Sequence, residues 1–187
     1  MPRAAPFADA VVGSVHRSGD HTFSKACTDR ITLLQGLGVE GDAHCGATVR
    51  HRYDMKRDPQ RANLRQVHLL PSERLAELEA IGFRVAPGEL GENISTRGLD
   101  LLALPAATRL HLGPEAIVEL TGLRNPCVHI ENFRKGLLAQ MRERRADGSV
   151  VRKAGAMAVV VRGGVVRAGD AIEVRLPDGE ARPLQPV

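Results

Sequence analysis

Residues 156–176 read AMAVVVRGGVVRAGDAIEVRL and carry the clearest structural signal in the chain. The apolar run at 156–161 is short and unbroken, which is typical of a strand buried on both faces. The glycine pair 163–164 indicates a tight turn into a returning strand at 165–166. Beyond Gly169, apolar residues alternate with charged ones, which is the period of a half-buried strand. This stretch therefore predicts three strands in succession.

The same two-residue period recurs through the rest of the chain. Residues 109–120 predict a hairpin, and further strands are predicted at 11–16, 30–34, 65–70 and 91–96. A helical stripe marks two segments, 71–82 and 131–145, and the second ends in three arginines that would complement the helix dipole. Many short strands and few helices predict a mostly β, barrel-like domain with peripheral helices.

Composition narrows the class of protein. The 187 residues are of ordinary globular composition and fit a single domain, with a Pro-rich tail at 177–187 that we expect to fray. The sequence has no membrane-length apolar run and no signal-peptide core. Cysteines 27, 45 and 127 form no disulfide framework, so we expect a reduced, cytoplasmic protein. Aromatic residues are 3% of the chain, which argues against a stacking platform for nucleic acid.

One loop carries the excess positive charge. Residues 50–65 read RHRYDMKRDPQRANLR and contain six basic and two acidic side chains. The net charge of this loop is therefore +4, which equals the net charge of the whole chain. This loop is either a solvated surface or an electropositive segment beside an anionic ligand. Nucleic acid is the less favoured ligand, because Tyr53 is the loop's single aromatic residue and no helix-turn-helix or zinc spacing accompanies it.

A glycine-rich segment at 36–41 reads GLGVEG and matches the dinucleotide-binding pattern. That fold needs a helix beginning inside the pattern, and no helical stripe follows. The carboxylates of Glu40 and Asp42 would also repel a pyrophosphate, so we interpret the segment as a turn. His44 and Cys45 lack the spacing of a zinc site, and we expect His44 to be buried or hydrogen-bonded.

Cys127 ends the segment LRNPC at 123–127, directly after a predicted strand. The ring of Pro126 fixes the φ angle of that proline and stiffens the backbone just before the cysteine. Arg124 lies three residues away, and a nearby guanidinium favours a thiolate over a thiol. The residues alone leave two interpretations open: an inert buried thiol, or a nucleophile or metal ligand.

Five motifs together resemble a known family, the MOSC domain, which is named for the C-terminal part of molybdenum cofactor sulfurases. In chain order they are GVEGDAH at 38–44, RQVHLL at 65–70, PGELGENI at 87–94, RNPC at 124–127 and the glycines between 155 and 170. The resemblance covers about residues 10–175, which is nearly the whole chain. It is specific because the five motifs occur in register with the cysteine in place.

The resemblance implies a β-barrel-like fold of the pyruvate-kinase type and binding of the molybdenum cofactor. The family's characteristic cysteine maps onto Cys127, which would be the catalytic residue, either as the ligand of molybdenum or as the carrier of a persulfide. The cofactor is a pterin phosphate with an oxyanionic metal, so it suits a cluster of cations. We therefore expect it to be bound by His44, Arg50, Arg52, Arg65, His68, Asn93, Arg124 and Lys153.

The resemblance leaves three functions open. Residues 1–187 leave no room for the pyridoxal-phosphate domain of the sulfurases or for the N-terminal β domain of the larger amidoxime reductases, so we expect a stand-alone member with no pyridoxal-phosphate site of its own. It would reduce N-hydroxylated compounds with electrons from a separate redox partner, transfer sulfur from a separate cysteine desulfurase, or bind and deliver the cofactor without catalysis. Neither nucleic acid nor membrane is an expected partner, and loop 47–63 takes no role from the family.

Overall fold

The structure is a computed structural model that describes residues 9–50, 55–56 and 58–187. Its strands, in chain order, are β1 (Val11–Arg17), β2 (Ala26–Thr28), β3 (Arg30–Leu34), β4 (Gly38–Val39), β5 (Val67–Pro71), β6 (Ile94–Arg97), β7 (Arg109–Leu112), β8 (Ala116–Leu123), β9 (Arg142–Arg144), β10 (Val150–Arg152), β11 (Ala156–Arg162), β12 (Gly164–Arg167) and β13 (Ile172–Arg175). Its helices are α1 (Ser72–Ala80), α2 (Val128–Phe133), α3 (Leu137–Gln140) and a 3₁₀ turn (Leu101–Ala103).

One mixed sheet of eight strands dominates the fold, in the order β13-β7-β8-β11-β5-β6-β1-β2. β5 and β6 run parallel, with α1 in the connection between them, and the other neighbours in the sheet run antiparallel. An isolated bridge from Val11 to Ala171 joins β1, the strand next to one end of the sheet, to the residue before β13 at the other end. The amides of Val12 and Ile172 extend it with bonds of 2.8 Å to Asp170 and Ala10. The predicted mostly β class is confirmed, whereas the strands of the described residues form an open mixed sheet and no closed barrel.

Two apolar cores follow from this arrangement. The larger lies inside the curved sheet, and β8 shows why: its residues alternate strictly between buried and half-buried. The smaller core lies under the helices and includes Leu75 and Leu78 of α1, Leu137 of α3 and Ile130 of α2. In the strands and in the helices, the apolar residues of the periodic sequence pattern therefore face a core, as an amphipathic strand or helix requires. No helix among the described residues is long and apolar enough to span a membrane.

The glycine pair at 163–164 does not make the predicted hairpin turn. β12 leaves the large sheet and pairs with β3, which pairs in turn with β4. A two-residue hairpin turn of the expected type needs positive φ angles, and neither glycine has one. Glycine is required there for close packing instead, because a Cβ at Gly163 would lie 2.7 Å from the carbonyl oxygen of Leu33.

The predicted helix at 131–145 is also wrong in its extent. Gly136 adopts a φ of 84°, which ends one helix and begins another. The carboxylate of Glu131 accepts a bond of 2.8 Å from the amide of Gly136 and fixes this break. The arginines expected at the helix terminus lie instead in and just after β9, which pairs with β10 in a separate two-stranded hairpin.

The end of the tail, residues 182–187, is bonded to the domain instead of frayed. The amides of Ala106 and Leu123 donate bonds of 2.8 Å to the carbonyls of Arg182 and Gln185. Leu184 is only 6% exposed and joins the larger core. The tail therefore pairs with the last residue of β8, Leu123, which its proline content did not indicate.

Candidate functional site

A cavity of about 410 Å³ opens where several loops meet the ends of the central strands. Its volume is within the range of small-molecule sites. Among the described residues, its wall contains five cations and no carboxylate. The cations are Lys25, Arg50, Lys56, Arg65 and Arg124. The remaining polar wall consists of His21, Thr22, His44, Asn63, His68, Asn93, Cys127 and His129.

Cys127 and Arg124 meet in this cavity. The amide of Arg124 bonds to the carbonyl of Gly155 at 2.9 Å, which fixes the chain just after β8, and Cys127 caps α2. The buried Arg124 guanidinium donates to the carbonyl of Leu90 at 2.5 Å and interacts electrostatically with Cys127. Burial lowers the pKa of Arg124, opposed by Cys127 and Glu92, and a guanidinium stays charged at any ordinary pH. It can therefore stabilise negative charge on the sulfur.

Asp42 does not line the cavity but binds three residues that do: Lys25, His44 and Asn93. Its carboxylate accepts bonds from the Lys25 ammonium at 2.7 Å, the Asn93 amide at 3.0 Å and both the backbone and ring nitrogens of His44 at 3.0 and 3.2 Å. Burial alone would raise the pKa of Asp42, but His44 and Lys25 hold it well below its ordinary value. The hydrogen bond expected for His44 is confirmed, and a charged carboxylate anchors it.

His68 and Asn93 line the cavity, yet their polar atoms are bonded within the protein. The ring Nε2 of His68 lies 2.8 Å from the carbonyl of Ala154, and burial lowers the pKa of the ring well below its ordinary value. Asn93 accepts from the His68 amide at 3.2 Å and donates to Asp42. Both side chains therefore hold neighbouring strands and loops in place around the cavity.

The basic loop does reach the cavity. A bridge between Thr48 and Ala62 brings its two arms together, and the Asn63 amide ties them with a bond of 2.9 Å to the Gly46 carbonyl. Arg50, Lys56 and Arg65 of this segment all line the wall. The positive charge of Arg65 lowers the pKa of the Arg124 guanidinium. Arg50 and Arg65 were expected at the site and Lys56 was not, and the third expected residue of the segment, Arg52, lies outside the described residues.

Lys153 is not brought to the cavity. Its ammonium pairs with the carboxylate of Glu143 at 2.5 Å, on the hairpin of β9 and β10. Lys153 therefore does not join Arg124 beside the thiol, contrary to the expectation from the sequence. The reason is that Glu143, which was assigned to a helix, lies on strand β9 and pairs with Lys153. The neighbouring hairpin therefore supplies a carboxylate that the sequence analysis did not place there.

Four basic or histidine side chains of the cavity wall were not among the site residues expected from the sequence: His21, Lys25, Lys56 and His129. His129 is two positions after Cys127, so its place beside the thiol could have been expected. His21 and Lys25 lie between β1 and β2 in a segment without a motif, and only the fold brings them to the site. The rings of His21 and His44 lie 5.1 Å apart, centre to centre.

The fold and the cavity together define a mostly β domain with a cysteine–guanidinium pair in a cationic site. The model of the MOSC domain family matches residues 42–173, and the chain belongs to this family. The solved structure of the YuaD protein from Bacillus subtilis is 26% identical with a TM-score of 0.72, and the match covers 90% of this chain and 97% of that one.

Two YiiM structures share the fold at lower identity. YiiM from Geobacillus stearothermophilus is 16% identical with a TM-score of 0.60, covering 88% of this chain and 74% of that one. YiiM from Escherichia coli is 20% identical with a TM-score of 0.61, covering 90% and 71%. No curated protein sequence matches the chain significantly.

Proposed function

We propose that this MOSC protein binds the molybdenum cofactor in the cavity and uses Cys127 as a ligand of the metal in the reduction of N-hydroxylated compounds. The observation that carries the proposal is that Cys127 and the buried Arg124 lie in one cavity wall, which holds four further cations. Membership of the family adds support, because the family is associated with this cofactor.

The residues present fit the cofactor by their chemistry. A pterin phosphate with an oxyanionic metal carries several negative charges, and cations are its natural partners. Lys25 is paired with Asp42, and the wall also holds the cations of Arg50, Lys56, Arg65 and Arg124. A thiolate is a suitable ligand for a soft metal centre.

The parts of the chain would divide the work as follows. When bound, the cofactor supplies a metal centre that accepts and donates electrons. Cys127 would hold the metal, and Arg124 would stabilise the negative charge of the sulfur. Arg50 and Arg65 would hold the phosphate. Phe23, whose ring lies 5.7 Å from the Arg124 guanidinium carbon, keeps water from that guanidinium.

Sulfur transfer is the second candidate, in which Cys127 carries a persulfide received from a separate desulfurase. The favouring observation is accessibility: Val128, directly after the cysteine, is 59% exposed, and His129 is exposed as well. A sulfur carrier must present its thiol to a second protein. Binding and delivery of the cofactor without turnover is the third outcome and needs no exposed thiol.

The proposal includes a reducing, cytoplasmic setting. Cys27, Cys45 and Cys127 are all free thiols in the structure, and Cys27 is exposed. An exposed thiol persists where the surroundings keep it reduced. Both a thiolate ligand and a persulfide carrier start from the reduced cysteine.

The test compares Cys127→Ser with the matched variant Cys27→Ser, whose cysteine lies on β2 away from the cavity. Protein from a host that makes the cofactor is assayed for viologen-driven reduction of benzamidoxime and for cyanide-labile sulfur. Reduction that Cys127→Ser abolishes and Cys27→Ser retains supports the first candidate. Labile sulfur on Cys127 without reduction supports the second, and bound cofactor with neither activity supports delivery. Equal activity in both variants would overturn the assignment of Cys127.

The anionic part of the cofactor is tested at the basic loop. Arg50→Ala with Arg65→Ala should lower cofactor retention and weaken its dependence on salt, because both side chains line the cavity. Arg61→Ala is the control, since this exposed arginine of the same loop does not line it. Cofactor content equal to that of the Arg61 variant would remove the loop from the site.

A further inference from the structure

The region of the β9–β10 hairpin is the second strongly basic part of the chain. Residues 134–153 read RKGLLAQMRERRADGSVVRK, with seven basic and two acidic side chains, so their net charge of +5 exceeds the +4 of the whole protein. β9 is exposed at all three of its positions. The hairpin forms its own two-stranded sheet, separate from the eight-stranded one. β9 therefore presents its charge to solvent, whereas β10 is half-buried.

The acidic residues of the hairpin do not neutralise this surface. Glu143 is paired with Lys153, and the Asp147 carboxylate accepts a bond of 2.9 Å from the Ser149 amide in the turn. Within the described residues, the Lys153 pair is the only ion pair that residues 134–153 form. The pKa of each carboxylate is lowered first by that partner, Lys153 or Ser149, and further by the charge of Arg145. The two acids are outnumbered by seven cations, so Arg144 and Arg145 at the outer end of β9 lie in a region of positive potential.

Hydrogen bonds fix this surface beside the thiol. The guanidinium of Arg142 donates to the carbonyl of Pro126, and that of Arg152 donates to the side chain of Asn125 at 3.2 Å. These two acceptors directly precede Cys127 in the chain. The amide of Lys153 bonds to the buried Met141 at 3.0 Å, which ties the base of the hairpin to the smaller core. Residues 125–127 therefore contain both the thiol and the two acceptors that bind the hairpin.

We propose that the β9–β10 hairpin is the docking surface for a separate electron-transfer protein with an acidic contact surface. The inference rests on the proposed function, because reduction of an N-hydroxylated compound consumes two electrons, which must reach the cavity at Cys127. Complexes of this kind have small, polar interfaces and rely on charge to speed and orient the encounter. Nucleic acid fits less well, since residues 134–153 hold no aromatic side chain for stacking.

The test reverses the charge of the hairpin tip with Arg144→Glu and Arg145→Glu together. The control is Arg30→Glu with Arg167→Glu, an exposed pair that faces each other across β3 and β12. The probe is an acidic flavodoxin, and its affinity is measured by calorimetry at about 50 mM and about 500 mM salt. We expect wild type and control to bind at low salt, and the hairpin variant to bind about tenfold or more weakly. High salt should remove the difference.

A second readout separates docking from chemistry. Reduced viologen delivers electrons without docking, so the hairpin variant should reduce benzamidoxime with viologen at the wild-type rate and with flavodoxin much more slowly. If the wild type does not reduce benzamidoxime with viologen, the proposed function is contradicted. The docking surface is then judged by the measured affinity for flavodoxin alone. Wild type that does not bind flavodoxin, or a hairpin variant that binds it as well as the control, would overturn the docking surface. Loss of RNA binding alone in the variant would assign the surface to nucleic acid instead.

Discussion

The buried ion pair of Lys25 and Asp42 is the point at which a single substitution should disturb the site most. The two charged groups are 2.7 Å apart, and their side chains are 5% and 2% exposed. Asp42→Asn keeps the shape of the side chain but leaves the Lys25 ammonium buried opposite a neutral amide. Removing one partner of a buried pair costs about 3–5 kcal/mol of the free energy of unfolding. For a chain of this size that lowers Tm by roughly 6–20 °C.

The matched controls are Lys25→Met and the double variant. Lys25→Met should cost less than Asp42→Asn, because Asp42 keeps its bonds from His44 and Asn93. The double variant buries no unpaired charge, so it should be more stable than Asp42→Asn alone. The assay is urea unfolding of all four proteins, from which the coupling energy follows. A double variant whose loss equals the sum of the single losses would refute the reasoning.

The same pair predicts how stability depends on pH. The pKa of Asp42 is held low, so its contribution is present above its ordinary value near 4 and is lost as pH falls below that range. Burial lowers the pKa of Lys25, so stability rises as pH rises toward its ordinary value of 10.5. Without the carboxylate, the pKa of Lys25 falls further, and Asp42→Asn should gain more stability than wild type between neutral pH and about pH 10. A deficit independent of pH would contradict this.

Three further predictions concern other parts of the chain. Burial and the nearby carboxylates raise the pKa of the Cys45 thiol, so near neutral pH iodoacetamide should alkylate it more slowly than Cys127; peptide mapping showing the reverse order would make Cys45 the reactive thiol. Gly155→Ala should lose about 1–3 kcal/mol more than Gly148→Ala, since both glycines have positive φ but only the first would press a Cβ against β5; equal losses in thermal melts would count against this. Leu184→Ala should cost about 2–5 kcal/mol if the tail joins the core, and an unchanged Tm would mean that it frays.

The strands could be predicted because burial on one face imposes a period of two, which β8 shows along its whole length. The route of the chain after β11 could not be predicted, because the glycine pair at 163–164 is compatible both with a tight turn and with close backbone packing. Gly136 similarly divides a continuous apolar stripe into two helices. Period and turn chemistry are local properties, whereas the partner of β12 depends on β3, which lies far away in sequence.

The site divides in the same way. The family-like motifs did converge: Arg65, Arg124 and Cys127 line one cavity. The partner of Asp42 could not be predicted, because Lys25 is 17 positions away and follows no motif. Lys153 was misplaced because its neighbour Glu143 was assigned to a helix. Motif order therefore predicted which segments meet, and the fold decided which side chains remain available.

The central claim is that the cavity at Cys127 binds the molybdenum cofactor, and metal and pterin analysis tests it most directly. Wild type, Cys127→Ser and Cys27→Ser are purified from a host that makes the cofactor, and molybdenum and pterin are measured per chain. Wild type and Cys27→Ser should contain both in equal amounts, and Cys127→Ser should keep its fold but lose molybdenum, because a hydroxyl is a harder and weaker ligand than a thiolate. Wild type without molybdenum and pterin, or Cys127→Ser with as much molybdenum as wild type, would contradict the claim.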